Sequence, residues 1–285
     1  MRVEANGQAP AVLFERQDAV AVVTLNRPEF GNAVNGQLRD ELNAAWQNVQ
    51  SDPSIRVAVM TGAGERHFST GADMKWQAEL SRDETTVRET GGNVGTTIQW
   101  PDIPKGMWKP VILAVNGVCA GGGWHWMDQC DFAICSEQAT FLEPHVSVGW
   151  VPVREMMGLA ARSIPFGVVM RMALMGTSER MDAQRAYELG IVTEVAPQDR
   201  LMSRALEIAQ IIAAQAPLAV QGIKEAMHRT YDMEWAHADA IAYADLLRNT
   251  IHRGPDSMEG PRAFAERRKP RWTGSWDPAP RARQD

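Results

Sequence analysis

The chain is short of several things that would assign it to a class. Only three of its 285 residues are cysteine. Cys119, Cys130 and Cys135 sit among apolar neighbours without Cys-x-x-Cys spacing. They read as buried thiols of a reducing cytosol, not as bridges or metal ligands. Positive charge is also short: 29 Lys and Arg against 35 Asp and Glu leave a net −6. That balance disfavours a nucleic-acid binder working through bulk basic charge. No apolar run reaches the ~20 residues of a membrane span, and the stretch from Ile164 to Met175 is interrupted by Arg171. The opening Met1-Arg2-Val3-Glu4-Ala5-Asn6 lacks the apolar region of a signal peptide. A cytoplasmic protein with no membrane and no nucleic-acid partner is expected. Its 23 glycines follow no three-residue period, which excludes a collagenous chain.

What is present is a core. Hydrophobic residues make up 45% of the chain, enough to offset the ordering entropy that keeps polar chains disordered. Tyrosine is scarce at three, whereas tryptophan reaches ten, a tilt toward the largest side chain.

Short strand-like runs alternate with helices through the first two-thirds. Ala11–Glu15 and Val20–Leu25 read as a hairpin rich in β-branched residues, and Asn26-Arg27-Pro28 stops its second strand. From Gln37 to Gln50, Leu38, Leu42, Ala45, Trp46 and Val49 recur at helical spacing. Val57–Thr61, Val111–Val115 and Phe132–Cys135 read as buried strands. This alternation predicts an α/β architecture with a largely parallel sheet. Later, Ala183–Leu189 is a predicted helix closed by Gly190, and Ile191–Val195 a last strand. From Arg200 to Arg268 nearly everything reads as helix. The final 25 residues hold seven Arg and Lys against three Asp and Glu, so the preceding body carries −10. A core over residues 1–199 and a helical C-terminal subdomain with a basic tail over 200–285 are expected.

Two glycine-containing loops carry the chemistry. One is Phe68-Ser69-Thr70-Gly71-Ala72-Asp73-Met74-Lys75, and the other is Ala120-Gly121-Gly122-Gly123-Trp124-His125. Glycines before a helix let backbone approach a ligand closely and leave free N–H groups that favour negative charge. Either loop alone reads equally well as a tight turn. In this order, with Asn26-Arg27-Pro28 and Asn32-Ala33 upstream and Phe141, Gly149 and Pro152 downstream, the pair resembles the crotonase (enoyl-CoA hydratase/isomerase) superfamily. The resemblance runs from Val12 to Lys269 and includes the Ala183–Gly190 helix and Ala263-Phe264-Ala265-Glu266-Arg267-Arg268-Lys269.

The resemblance implies a spiral of ββα turns with a C-terminal helical trimerisation segment, assembled as a homo-trimer or hexamer. It implies an acyl-CoA substrate and no cofactor beyond the coenzyme A of that substrate. By position, the backbone N–H groups of Ala72 and Gly122 would hold the thioester oxygen, stabilising charge as it develops there. Thr70, Ala72, Asp73 and Met74 would line the adenine side of coenzyme A. Glu29 departs from the lysine that hydratases often carry near the phosphates, a loss the basic tail could offset.

The family's two water-handling glutamates are absent, and their positions hold His125 and His145, which also transfer protons near neutral pH. Glu155, close to where some members carry a third acid, is a secondary catalytic candidate. Glu143 reads first as a surface carboxylate, although turned inward it would orient His145. Asp128, one helical turn from His125, reads as structural. Trp124, Trp126 and Trp150 bracket the histidines and are expected to wall an apolar acyl pocket. His67 reads as an exposed loop residue; His228, His237 and His252 form no cluster, so no metal is expected. Met156, Met157, Met170, Met172 and Met175 read as core or acyl-pocket filler.

The expected activity is acyl-CoA chemistry through a thioester enolate, of the hydratase and isomerase kind. Two alternatives compete with it. One is hydrolytic C–C cleavage of a β-diketone, which some superfamily members perform with a histidine at the position of His145. The other is a non-catalytic CoA-binding scaffold that kept the fold after losing the glutamates.

Overall fold

Val57–Gly62 (β3) and Val111–Val115 (β5) are apolar at almost every position because both of their faces are covered. Side chains alternate along each strand. Ala58, Met60, Val111, Leu113 and Val115 face one core, while Val57, Val59, Ile112 and Ala114 face another. The computed structural model describes residues 9–80, 82–83, 85, 99–231, 256, 259, 262–263 and 266–275.

Six strands form the main sheet. Val12–Gln17 (β1) pairs antiparallel with Val20–Leu25 (β2), which runs parallel to β3. Beyond β5 the sheet continues, still parallel, through Phe132–Ser136 (β7) to Glu194–Ala196 (β10). A second sheet orders His67–Ser69 (β4), Val118–Ala120 (β6), Thr140–Leu142 (β8) and Met181–Asp182 (β9). The chain thus steps between sheets: β3 to β4, β5 to β6, β7 to β8. The first two steps lead into Met74–Leu80 (α2) and Gly123–Gln129 (α3), which gives the fold its spiral of ββα turns.

The first helix spans Gly36–Ser51 (α1), with the side chain of Asn35 accepting the Leu38 N–H at 3.0 Å. Its five spaced apolar residues are all buried. Ala183–Glu188 (α6) is capped by Asp182 and followed by Gly190 at φ +75°. Between β8 and β9 lie Val153–Ala161 (α4) and Phe166–Met175 (α5). Residues Ile191–Thr193, predicted as strand, form a loop, and pairing with β7 begins only at Glu194.

Leu201–Ala213 (α7) covers the outer face of the main sheet. Leu201, Ala205, Ala209 and Ala213 recur every four residues against Val20, Val57, Val59, Ile112 and Ile134. Three small residues on that stripe bring the helix close to the strands. Pro217–Tyr231 (α8) is tied down by Lys224, whose Nζ lies 2.9 Å from Asp131 and donates to the Lys109 carbonyl. No single helix among the described residues is long and apolar enough to cross a membrane. All three cysteines are free and buried, and burial pushes the Cys130 and Cys135 thiols up to about 12.

Candidate active site

The two glycine loops meet. Gly71 (φ +86°) follows β4, and Gly121 (φ +51°) follows the parallel neighbour β6, so sheet pairing brings the loops side by side. A Cβ on Gly71 would stand 2.6 Å from the Gly122 nitrogen, contact that only glycine permits. Val34 donates to the Gly71 carbonyl and Asp73 donates to the Val34 carbonyl, which fixes the backbone on both sides of Ala72. The Ala72 and Gly122 N–H groups are not consumed by these bonds.

Around this pair the structure assembles a chain of titratable groups. His125 is the third residue of α3, Glu155 the third of α4, and His145 opens a 3-10 turn over His145–Val148. Glu155 Oε1 lies 2.7 Å from His125 Nε2 and 3.7 Å from His145 Nε2. Glu143 accepts hydrogen bonds from the backbone N–H of His145, at 3.0 Å, and from its Nδ1. A Cβ on Gly121 would sit 3.6 Å from the His145 ring, which places this histidine beside the glycine loop. At the far end, Asp102 Oδ1 lies 3.9 Å from His125 Nδ1, and Arg154 pairs with Asp102 at 3.1 Å.

The environment pushes two of these groups apart. Burial works to raise the Glu155 carboxyl, but the hydrogen bond from His125 and the charges of both histidines outweigh it and hold Glu155 below its ordinary value. Burial disfavours imidazolium at His145, yet the Glu143 hydrogen bond and the charges of Glu143 and Glu155 overcome it and lift His145 above 6.5. A carboxylate biased toward ionisation thus faces an imidazole biased toward protonation, the pattern of an acid–base pair.

Aromatic rings close the site. Trp150 stacks on His145 with centroids 5.8 Å apart, and Trp100 lies 4.9 Å from His125. The benzo edge of Trp100 rests on Gly122, where a Cβ would come within 2.1 Å of the ring. Trp124 and Trp126, expected as acyl-pocket walls, instead point into the core, and their ring N–H groups donate to the carbonyls of Leu142 and Pro101, each at 3.0 Å. Adjacent residues on a helix do not share a face, so the neighbours of His125 cannot share its outlook. A cavity of about 30 Å³ lies behind Glu155, bordered by Trp124, Asp128 and Arg162.

Glu143 is buried and turned toward His145, not at the surface. Asp128 pairs with Arg162 at 3.6 Å instead of supporting His125. Asp73 pairs with Arg27 at 3.0 Å and caps α2, Thr70 bonds to the Gly31 carbonyl, and Met74 is exposed. His67 opens β4 half-buried, not exposed in a loop. His228 reaches Asp131 at 3.3 Å, and His237 and His252 lie outside the described residues. Of the five methionines, Met156 and Met172 are core, whereas Met157, Met170 and Met175 are exposed. Sequence reasoning missed Trp100 and Asp102 as site residues. No grouping of His, Cys, Asp or Glu suited to a metal ion occurs among the described residues.

A two-sheet spiral with paired glycine loops over an acid–base cluster defines a class of enzymes that process acyl-CoA thioesters. The chain belongs to the enoyl-CoA hydratase/isomerase family, whose model matches residues 15–275. It is 37% identical to the (E)-benzylidenesuccinyl-CoA hydratase of Thauera aromatica over 93% of this chain and 99% of that one. It is 35% identical to the carnitinyl-CoA dehydratase of Escherichia coli over 91% and 97%. Among solved structures, an enoyl-CoA hydratase/isomerase from Mycobacterium paratuberculosis superposes with a TM-score of 0.81 at 39% identity, over 93% of this chain and 98% of that one. An enoyl-CoA hydratase from Bacillus anthracis superposes at 0.82 with 29% identity, over 93% and 100%.

Proposed function

We propose that the chain adds water to, or removes it from, the α,β double bond of an acyl-CoA thioester, with Glu155, His125 and His145 replacing the family's two glutamates. The observation that carries this reading is the position of Glu155, whose Oε1 is within 2.7 Å of one imidazole and 3.7 Å of the other.

The thioester oxygen accepts from the Ala72 and Gly122 N–H groups. Glu155 takes a proton from water as the water oxygen bonds to Cβ, and the π electrons move onto Cα and the carbonyl oxygen. Preorganised donors stabilise that enolate by roughly 3–4 kcal/mol each. His145 then gives its Nε2 proton to Cα, and the proton on Glu155 returns to His145 across the short gap between them. His125 orients Glu155 throughout. Dehydration runs the same steps backwards. The names of the relatives support this reading, since one is a hydratase and another a dehydratase of CoA thioesters. Each proton step falls to a side chain of this chain, so the reading calls for no cofactor beyond the substrate's own coenzyme A. The assembly proposed is a homo-trimer or hexamer.

A panel of 2-enoyl-CoA thioesters tests it, with loss of enoyl absorbance and a mass gain of one water as the readout. Turnover that collapses in E155Q supports the assignment. Release of a new carboxylate from a 1,3-dicarbonyl substrate would instead establish hydrolytic C–C cleavage. Tight retention of acyl-CoA without turnover would establish a scaffold.

A further inference from the structure

A trans peptide group points its C=O and its N–H to opposite sides, so whatever holds the carbonyl also aims the N–H. The two proposed oxyanion donors belong to the Gly71–Ala72 and Gly121–Gly122 peptides, and both carbonyls are held. The Gly121 carbonyl accepts the Trp124 N–H at 2.9 Å, from within its own loop. The Gly71 carbonyl accepts the Val34 N–H at 2.8 Å, from a segment distant in sequence.

A bond to the carbonyl stops a peptide from turning about its Cα–Cα axis but does not fix the axis itself. At Gly71 that axis is easily tilted, because φ is +86° and no Cβ restricts the backbone on either side. Ser69 supplies the missing restraint. The Gly71 N–H donates to Ser69 Oγ at 3.2 Å, and Ser69 Oγ donates to the Asn32 carbonyl at 3.0 Å. A hydroxyl suits this place because it accepts and donates at once, and giving its hydrogen to Asn32 makes its oxygen the better acceptor. The anchor is itself fixed. The Asn32 side chain donates to the Ala63 and His67 carbonyls at 3.1 and 2.9 Å and accepts the Arg27 N–H at 2.9 Å. Ser69 and Asn32 are both fully buried, so bulk water cannot take the place of the hydroxyl.

Resting on the acyl-CoA reading of the same site, we propose that Ser69 is a positioning residue for the Ala72 oxyanion donor. Its hydroxyl sets the Gly71 backbone so that, with Val34 on the carbonyl, the Ala72 N–H is aimed at the thioester oxygen. The Gly122 donor is braced inside its own loop and does not depend on Ser69. Loss of the hydroxyl therefore misaims one donor of the two.

The test is isotope-edited infrared spectroscopy of a saturated acyl-CoA, labelled with carbon-13 at the thioester carbonyl and bound to the full-length protein. Two aimed donors should lower the carbonyl stretch in the wild type below its position in water. The S69A variant should give back about half of that shift, the share of one donor. Its kcat on a 2-enoyl-CoA should fall about 10–100-fold, while KM moves by less than about threefold. A merely structural serine would lower the melting temperature and leave the band and kcat in place, and that result overturns the proposal. Should S69A not fold, S69C carries the same test, since a thiol is only a weak acceptor and donor. An intermediate band and kcat in S69C support the proposal, and wild-type values of both overturn it. The wild type separates the two readings. A protein that fails to bind the acyl-CoA, or binds it without shifting the band, overturns the donor assignment and the role of Ser69 with it. A wild-type shift that S69A keeps in full overturns the role of Ser69 alone.

Discussion

Glu155 Oε1 stands 2.7 Å from His125 Nε2, joining the first turn of α4 to the first turn of α3 across 30 residues of sequence. Both side chains are largely withdrawn from solvent, at 8% and 12% exposure, so the bond is shielded from water. The E155Q variant keeps the shape of the group and removes its basicity. Its kcat should fall by about 10²–10⁴, the range for loss of a general base, while KM changes little. Steady-state kinetics with a near-native thermal melt checks this, and an unchanged kcat would remove Glu155 from the mechanism.

The pH profile follows from the opposed environments. Glu155 must be ionised, and its lowered pKa puts the rising limb below 4.5. His145 must be protonated, so activity falls as pH rises through its raised value, above 6.5. The same raised value stabilises the fold fully below 6.5 and loses that contribution as pH climbs through the folded-state pKa. Because the Glu143 hydrogen bond and charge are what lift His145, E143Q should move the descending limb to lower pH and leave the ascending limb in place. A descending limb that stays put in E143Q would deny Glu143 this role.

How far the sequence could see this depended on residue spacing. β3 and β5 were legible as continuous apolar runs, and α1 as a 3.6-residue period through Leu38, Leu42, Ala45, Trp46 and Val49. The second sheet was not, since β4, β6 and β8 are three residues each and β9 only two, too short for any period to appear. The glycine loops were visible because left-handed backbone demands glycine. Trp100 and Asp102 were not, because they reach His125 only through chain closure and the stretch Trp100-Pro101-Asp102 carries no motif. The inward turn of Glu143 was equally hidden: alternation along an extended segment does not show which face the following turn will cover.

Two glycines make the loops testable. In G71A the new Cβ meets the Gly122 nitrogen at 2.6 Å on a backbone of φ +86°, and in G122A it meets the Trp100 ring at 2.1 Å. Each should lower kcat by about 10²–10³, as removal of an oxyanion donor does. Gly106 also has a positive φ, +83°, but nothing stands within 4 Å of its Cβ position. G106A should therefore cost about 1–2 kcal/mol of stability through backbone strain and leave kcat alone. Equal kinetic losses in all three would mean that general strain, not the N–H geometry, is being measured.

An apolar face accompanies the site. Val151, Phe166, Leu174 and Met157 are 77%, 73%, 68% and 66% exposed, and Phe166, Met170 and Leu174 repeat every four residues along α5. Exposed apolar residues at this spacing are the mark of a protein interface, and a second copy of the chain is the occupant expected. Sedimentation should give three or six times the 31.5 kDa chain mass. The double variant F166E and L174E should sediment as the single chain, and a wild-type protein already monomeric at micromolar concentration would refute the interface.

The loop that carries Ala72 is braced from the other side by Arg27. Its Nη2 lies 3.0 Å from Asp73 Oδ2, its Nη1 donates to the Ala33 carbonyl at 2.6 Å, and its guanidinium sits 4.8 Å from the Phe30 ring centre. Asp73 in turn caps α2 through the N–H groups of Lys75 and Trp76, so one guanidinium fixes the residue next to the proposed oxyanion donor. Both side chains are only 13% exposed, which keeps solvent from replacing the pair. R27A should cost about 2–3 kcal/mol, the usual loss for a charge-assisted bond of this burial, and lower the melting temperature by several degrees. Its KM for acyl-CoA should rise more than its kcat falls, because the loop is loosened while Glu155 and the histidines are untouched. R27K, with one compact charge in place of a fork, should restore the ion pair but not the second bond and fall between the two. If R27K matches R27A in both melting temperature and KM, the planar fork is essential; if it matches the wild type, charge alone braces the loop.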